Sequence, residues 1–167
     1  MRFSFFGRTG EKTSVLGMGG MRFSQHIPNE ACAQFIKFAA QKGINYFDTA
    51  PGYNDDRSEA IFCNAFATME RKSFFIATKG ENAKSAYEIE KTIERSLKRL
   101  KVDYIDFYFL WCIINMDQFN NARKPGMALE GILNAKKNGL IRHMGVSTHM
   151  YSEGIKKLVD FGAFEFI

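Results

Sequence analysis

The side chains best suited to acid-base chemistry are a carboxylate, a phenol and an amine. They lie at or just beyond the ends of two apolar stretches. Asp48 follows the stretch 44–47, Tyr53 lies a little further on, and Lys79 follows the stretch 74–78. A lysine ammonium held beside a tyrosine hydroxyl stabilises the phenolate, and a carboxylate keeps the lysine charged and in place. A tyrosine in such surroundings can act as a general acid near neutral pH.

Two predicted strands would position these groups. The stretch 44–47 is short, apolar and rich in β-branched and aromatic residues, which predicts a buried strand, and Pro51-Gly52 then break it. Asp48 therefore lies at a strand end and Tyr53 on the following loop, the face of β/α barrels that carries active sites. In isolation, Asp48 could cap a turn and Tyr53 could be an ordinary packing residue. The equivalent position of Lys79 on the next strand favours a site instead.

The rest of the chain alternates between strand and helix patterns with little sequence between them. A β-hairpin comes first, with strands 2–6 and 12–15 around Gly7-Arg-Thr-Gly10. The alternation that follows predicts a parallel sheet with right-handed crossovers. The predicted elements are strand 16–20, a helix capped by Asn29 and running to Gln41, strand 44–48, helix 57–69, strand 74–78, helix 86–99, strand 104–111, a helix from Pro125 to Gly139, strand 141–147, helix 152–161 and strand 164–167.

These elements predict an α/β fold: a TIM (β/α)8-type barrel with an N-terminal β-hairpin, truncated after about six strands. A complete barrel of this type has about 250 residues and rarely fewer than about 200. This chain has 167, so we expect residues 1–167 to form a single, partial barrel domain. An unclosed barrel leaves strand edges and apolar faces exposed. We therefore expect self-association through the open edge.

Composition and charge exclude several classes of partner. The net charge is +5, but the basic residues are scattered among acids at helical spacing, as in 90–99. No basic run is interleaved with aromatic residues, so we expect no nucleic-acid partner. No apolar run approaches the length of about 18 residues that a membrane span requires, and the N-terminus lacks a signal-peptide core, so we expect no membrane association.

The cysteines indicate a reducing compartment. Cys32, Cys63 and Cys112 are odd in number and widely spaced, without a Cys-x-x-Cys pair. This pattern fits free thiols better than disulfides or a metal site. We therefore predict a cytoplasmic protein without a metal centre.

The segments that carry the polar residues resemble the aldo-keto reductases, whose active-site tetrad is Asp, Tyr, Lys and His. The resemblance lies in Phe47-Asp-Thr-Ala-Pro-Gly-Tyr53, Ser58-Glu59 and Ala77-Thr-Lys79. It implies a small-molecule carbonyl substrate and a nicotinamide cofactor, usually NADPH. The bacterial branch that often carries an iron-sulfur segment is most similar, but its cysteine cluster does not occur here, so no iron-sulfur cluster is expected. Further similar segments are Gly7-Arg-Thr-Gly10, Leu16-Gly-Met-Gly-Gly-Met-Arg22, residues 99–108 and residues 139–147.

The resemblance implies that Asp48, Tyr53 and Lys79 are three members of the tetrad. The fourth member, a histidine at the end of strand 104–111, is replaced by Trp111. An indole donates a hydrogen bond but cannot accept or relay a proton. Trp111 could polarise a carbonyl, stack on a substrate as a catalytic-site wall, or simply be an aromatic core residue.

The resemblance also implies where a cofactor would bind. His143 lies early in its strand, at the wrong end for a substitute histidine, and His149 is interpreted as a solvent-facing loop residue. Family members hold the cofactor phosphates with C-terminal loops that have no counterpart in this sequence, so we expect weak NADPH binding. The residues expected near the nicotinamide are Gly20, Met21, Arg22, Asp48, Ser147 and Thr148.

Three hypotheses of function follow. In the first, the protein is an NAD(P)H-dependent oxidoreductase of aldo-keto reductase type that reduces a carbonyl to an alcohol, with Tyr53 as the proton donor. In the second, it is a non-catalytic barrel remnant that serves as an interaction module or has no activity, which Trp111 and the short chain favour. The third is a barrel lyase with Lys79 as a Schiff base, which leaves Asp48 and Tyr53 unexplained.

Overall fold

The computed structural model describes all residues from 1 to 167 and contains a two-stranded and a five-stranded sheet. The strands are β1 (Phe3–Phe5), β2 (Lys12–Ser14), β3 (Met18–Gly19), β4 (Tyr46–Asp48), β5 (Phe75–Glu81), β6 (Ile105–Ile113) and β7 (Ile141–Thr148). The helical segments are α1 (Asn29–Gln41), α2 (Tyr53–Asp56), α3 (Ser58–Phe66), α4 (Ala86–Leu100), α5 (Met116–Ala122), α6 (Ala128–Lys137) and α7 (Ser152–Asp160).

The larger sheet has the order β3-β4-β5-β6-β7, so neighbouring strands follow one another along the chain. All four of its strand pairs are parallel. Parallel neighbours require a crossover, and a helical segment lies between each pair of consecutive strands. The carboxyl ends of five strands therefore meet at one edge, as the predicted α/β barrel requires.

The predicted hairpin is confirmed, since β1 pairs antiparallel with β2. Its turn contains Gly7 with a φ of +56°, and a Cβ at this position would lie 2.2 Å from the Glu165 carbonyl oxygen. Only glycine permits this approach. The Phe6 ring packs against Phe107 and Phe166, with centroids 4.7 and 4.8 Å apart. The hairpin thus covers the inner face of the sheet at the end opposite the strand carboxyl termini.

The core lies mainly between the sheet and its helices. The sequence of α4 places apolar residues at helical spacing, and all four of them, Ile89, Ile93, Leu97 and Leu100, are buried. The helix begins with a capping box, in which Ser85 accepts from the Glu88 amide and Glu88 accepts from the Ser85 amide. The apolar face and the cap together fix where α4 begins and which side packs on the sheet.

Several predicted boundaries differ from the structure. Asn29 lies inside the first turn of α1 and does not cap it, because its side-chain oxygen accepts hydrogen bonds from the Arg57 guanidinium at 2.7 and 3.0 Å. The predicted strand 164–167 is reduced to a single bridge between Gly145 and Phe166. The helix predicted from Pro125 begins at Ala128, and the helix predicted from 57 to 69 ends at Phe66.

Strands β5 and β6 run further than predicted, to Glu81 and Ile113. Lys79 and Trp111 therefore lie within strands and not at their last residues. Since both residues belong to paired strand segments, their backbones are fixed by the sheet. The extension therefore places two residues of the candidate site on rigid strand backbone.

Candidate active site

An ion pair between two neighbouring strands forms the centre of the site. Asp48 is aligned with Ala77 of β5, and Lys79 follows two residues later on the same side of the sheet. The Lys79 Nζ donates a hydrogen bond to Asp48 Oδ1 at 2.6 Å. The side chains are 8% and 23% exposed, respectively, so the pair is largely removed from water.

The surroundings of the pair set its electrostatics. Burial raises the pKa of the Asp48 carboxyl above its ordinary value, and the charge and hydrogen bond of Lys79 offset part of this effect. Burial also raises the pKa of Tyr46, the other tyrosine near Asp48, well beyond its ordinary range. The Tyr46 ring packs against Phe6 and Phe107, which leaves Tyr53 as the phenol available to the site.

Tyr53 lies beside the ion pair. The Lys79 Nζ is 4.9 Å from the centroid of the Tyr53 ring. The Trp111 ring meets the same ring edge to face, with centroids 6.2 Å apart and an interplanar angle of 89°. The phenol is thus positioned between an ammonium group and an indole.

A left-handed turn directly after Tyr53 fixes the loop that carries it. Asn54, Asp55 and Asp56 have φ values of 54°, 53° and 65°, in the left-handed region that non-glycine residues rarely adopt. The Asp56 carboxylate accepts hydrogen bonds from the Gly52 amide at 3.0 Å and from Arg99 Nη1 at 2.7 Å. Helix α4 therefore holds the turn through Arg99.

Glu59 lies beneath this turn and is completely buried. Its Oε2 is 3.4 Å from Arg99 Nε, and its Oε1 accepts a hydrogen bond from Thr78 at 3.4 Å. Burial raises the pKa of the Glu59 carboxyl, and its contacts with Ser96, Arg99 and Thr78 offset part of the increase. Arg99 thus forms ion pairs with the buried Glu59 and with the exposed Asp56 of the turn.

We expect Glu59→Gln to alter the dependence of stability on pH. Because the pKa of Glu59 is raised above its ordinary value of 4.5 in the folded protein, folded molecules bind its proton more tightly than unfolded ones. Wild-type stability should therefore fall relative to Glu59→Gln as the pH rises from about 4 to about 7. Urea unfolding at both pH values measures this difference. The exposed Glu153→Gln should behave as wild type, and parallel pH profiles for all three proteins would contradict the interpretation.

A single cavity of about 240 Å³ brings most of the predicted site residues together. Strand β6 contributes Trp111 and also Phe109, which the sequence analysis did not select although strand alternation places both on one face. His149, predicted to face solvent, is exposed but also lines this cavity. The lining residues are Asp48, Tyr53, Lys79, Phe109, Trp111, Ser147, Thr148 and His149.

The other predicted cofactor contacts lie elsewhere. Met21 and Arg22 line a neighbouring cavity of about 370 Å³ that shares Tyr53 with the first. Gly20 lines neither cavity, and a Cβ there would lie 2.2 Å from Ser58 Oγ. The absent side chain of Gly20 therefore allows close packing against α3, while its amide donates to the Asp48 carbonyl at 2.8 Å.

The end of β7 offers polar groups that fit a nicotinamide carboxamide. The Ser147 hydroxyl is buried and has no hydrogen-bond partner. The Thr148 hydroxyl donates to the Ile113 carbonyl at 2.7 Å and accepts from the Met150 amide at 3.0 Å. An amide group, which both donates and accepts, would satisfy Ser147. No group of three or more His, Cys, Asp or Glu side chains is arranged to hold a metal ion.

The fold and the site together define a class of protein: a parallel β/α barrel with an Asp-Tyr-Lys centre at the carboxyl ends of its strands. The sequence profile described as Aldo/keto reductase family matches residues 15–163. The chain belongs to this family.

Several curated relatives share its sequence. It is 31% identical over 154 residues to an L-galactose dehydrogenase of Arabidopsis thaliana, covering 84% of this chain and 46% of the relative. It is 27% identical over 180 residues to an NADH-specific methylglyoxal reductase of Escherichia coli, covering 96% of this chain and 53% of the relative. The chain thus spans about half the length of these relatives.

Solved structures confirm the barrel fold. An aldo-keto reductase of Bacillus halodurans in its holo form superimposes with a TM-score of 0.82 at 25% identity, over 100% of this chain and 56% of that one. An aldo-keto reductase of Klebsiella pneumoniae in complex with NADPH superimposes with a TM-score of 0.75 at 21% identity, over 92% of this chain and 52% of that one. The predicted (β/α)8-type fold is therefore confirmed over the part of the barrel that this chain spans.

Proposed function

We propose that this chain carries the reducing centre of an NAD(P)H-dependent oxidoreductase that converts a small carbonyl compound to an alcohol. The observation that supports this most directly is the convergence of Asp48, Lys79 and Tyr53 on one cavity. The unpartnered Ser147 hydroxyl in the same cavity supports a nicotinamide site. The names of the relatives, among them a methylglyoxal reductase, support a small carbonyl substrate.

The mechanism assigns a role to each residue at the centre. Bound NAD(P)H supplies a hydride for the carbonyl carbon. The Tyr53 hydroxyl donates its proton to the carbonyl oxygen, and the ammonium group of Lys79 stabilises the phenolate that remains. Asp48 holds Lys79 in place through the 2.6 Å hydrogen bond. Trp111 forms the wall against the Tyr53 ring and limits the access of water to the proton donor.

The geometry gives less support to the alternatives. A Schiff-base lysine needs a free amine that can attack a carbonyl, whereas the Lys79 Nζ is held by a 2.6 Å hydrogen bond to Asp48 Oδ1. The non-catalytic alternative depends on Trp111 in place of the family histidine. The preserved arrangement of the other three tetrad residues favours catalysis over this alternative.

The direct test is aldehyde-dependent oxidation of the cofactor by the purified chain. We expect absorbance of the reduced nicotinamide to fall when methylglyoxal is added with NADPH or NADH, and not when aldehyde is omitted. The rates with the two cofactors give the preference between them. A folded chain that shows no aldehyde-dependent oxidation with either cofactor would support the non-catalytic alternative.

Location and assembly stay predictions. No helix is both long and apolar enough to span a membrane, and the three cysteines are free. We retain the cytoplasm as the proposed compartment on the basis of cysteine usage. Self-association is proposed from the open sheet edge, and light scattering of the purified chain would detect it.

A further inference from the structure

A second cavity adjoins the reaction cavity. It has a volume of about 200 Å³ and shares the side chains of Lys79 and Trp111 with the reaction cavity. Trp111 therefore separates two spaces, one beside the Tyr53 phenol and one between the turn after Tyr53 and helix α4. The lining of the second space is polar and comprises Pro51, Gly52, Asp56, Lys79, Gly80, Glu81, Lys84, Thr92, Arg95 and Trp111.

The charges that line this second cavity are not balanced. Lys79 is paired with Asp48, and Asp56 is paired with Arg99. By contrast, Lys84 and Arg95 make no ion pair within 4.0 Å, although Arg95 helps to lower the pKa of the Asp56 carboxyl and Lys84 that of the Glu88 carboxyl. Glu81, the remaining acid of the lining, is exposed, as is Arg95, whereas Lys84 is half-buried. Without the paired Lys79 and Asp56, the lining contains two cationic side chains and one acidic side chain. The net charge of these remaining groups is positive.

The two unpaired cations come from different elements. Lys84 lies on the loop after β5, and Arg95 lies on α4. The hydroxyl of Thr92, one turn before Arg95, is already bonded to the Glu88 carbonyl at 2.8 Å. A cation from each side of a cavity is an arrangement that binds a carboxylate or phosphate by charge-assisted hydrogen bonds. An anion in the cavity would supply the close hydrogen-bond acceptor that neither cation has in this structure.

We propose that this second cavity is an anion subsite that selects carbonyl substrates bearing a carboxylate or phosphate group. The inference rests on the proposed function and names its substrate class. Lys84 and Arg95 hold the anionic end, and the carbonyl end extends past Trp111 to the Tyr53 hydroxyl. The subsite takes part in no bond change, since the hydride and the proton reach the carbonyl group as in the proposed reduction.

The test uses pairs of aldehydes that differ by one anionic group. The first pair is 4-oxobutanoate and butanal, and the second is glyceraldehyde 3-phosphate and glyceraldehyde. Trp111 is the sole tryptophan of the chain, so its fluorescence reports binding without the need for turnover. Reduction of the same four compounds is measured separately.

We expect the anionic member of at least one pair to bind about tenfold more tightly than the neutral member, as one charge-assisted hydrogen bond predicts. The pair with the larger difference identifies carboxylate or phosphate as the preferred anion. Lys84→Gln and Arg95→Gln should each remove most of this difference while binding of the neutral aldehyde is unchanged. Lys98→Gln, an exposed substitution on α4 outside the cavity, should have no effect and serves as the matched control.

Two outcomes separate this inference from the proposed function. Equal binding of anionic and neutral members in both pairs would overturn the subsite, whatever the rates of reduction. Anion-dependent binding that is lost in Lys84→Gln and Arg95→Gln, but without reduction of any aldehyde, would support an anion site and count against the reductase. Circular dichroism of each variant ensures that lost binding does not reflect unfolding.

Discussion

Tyr53→Phe is expected to reduce aldehyde-dependent cofactor oxidation by at least about a hundredfold, the lower range of general acid catalysis. The variant keeps the ring that contacts Lys79 and Trp111 and loses only the hydroxyl. Since the structure assigns no hydrogen bond within the protein to this hydroxyl, the free energy of unfolding should change by no more than about 0.5 kcal/mol. The substitution would thus lower the reduction rate while leaving the free energy of unfolding almost unchanged.

The control for this substitution is Tyr151→Phe. Tyr151 is 91% exposed and lies away from the cavity, so its hydroxyl should affect neither quantity. Steady-state rates with saturating aldehyde and urea unfolding curves should be compared for the three proteins. Equal rates for wild type and Tyr53→Phe would remove Tyr53 from the mechanism.

Lys79→Met is expected to reduce both activity and stability. The rate should fall by about a hundredfold, because the developing phenolate loses its neighbouring cation. The free energy of unfolding should fall by about 1 to 3 kcal/mol, because Asp48 keeps a largely buried carboxylate without its partner. Urea unfolding and reduction rates measure the two losses.

A second substitution tells the two losses apart. The double variant Asp48→Asn/Lys79→Met has no buried carboxylate without a partner. Its free energy of unfolding should therefore recover most of the loss seen in Lys79→Met, whereas its reduction rate should stay low. A double variant as unstable as Lys79→Met would show that packing of the lysine stem, and not the charge of Asp48, accounts for the loss. Recovery of the rate would contradict the role given to Lys79.

Local sequence predicted the parts of the site that depend on strands. Asp48 and Lys79 follow apolar runs of strand length, and parallel pairing then brings neighbouring strand ends together without further information. The positions of Trp111 and Ser147 in the site came from the family resemblance, and the structure places both in the same cavity as Tyr53.

The parts that were missed depend on tertiary contacts. The three left-handed residues after Tyr53 are stabilised by Arg99, 43 positions away from Asp56, so no local pattern reveals them. Asn29 was predicted to cap α1, but its side-chain oxygen accepts a hydrogen bond from Arg57 instead. Helix α5 was overlooked although Asn115 accepts a hydrogen bond from the Gln118 amide, a capping pattern that the sequence does show.

The hairpin that covers the inner face of the sheet has a consequence for the order of folding. The Arg8 guanidinium donates to the carbonyls of Gly162 and Phe164, 154 and 156 positions along the chain. The hairpin itself is a local structure that can form within microseconds, but its contacts with Gly162, Phe164 and Phe166 require the segment after α7. During synthesis strands β1 and β2 therefore make these contacts only after residues more than 150 positions later have been added. Until then the Phe6 ring lacks Phe166 as a partner, and early intermediates expose this aromatic surface.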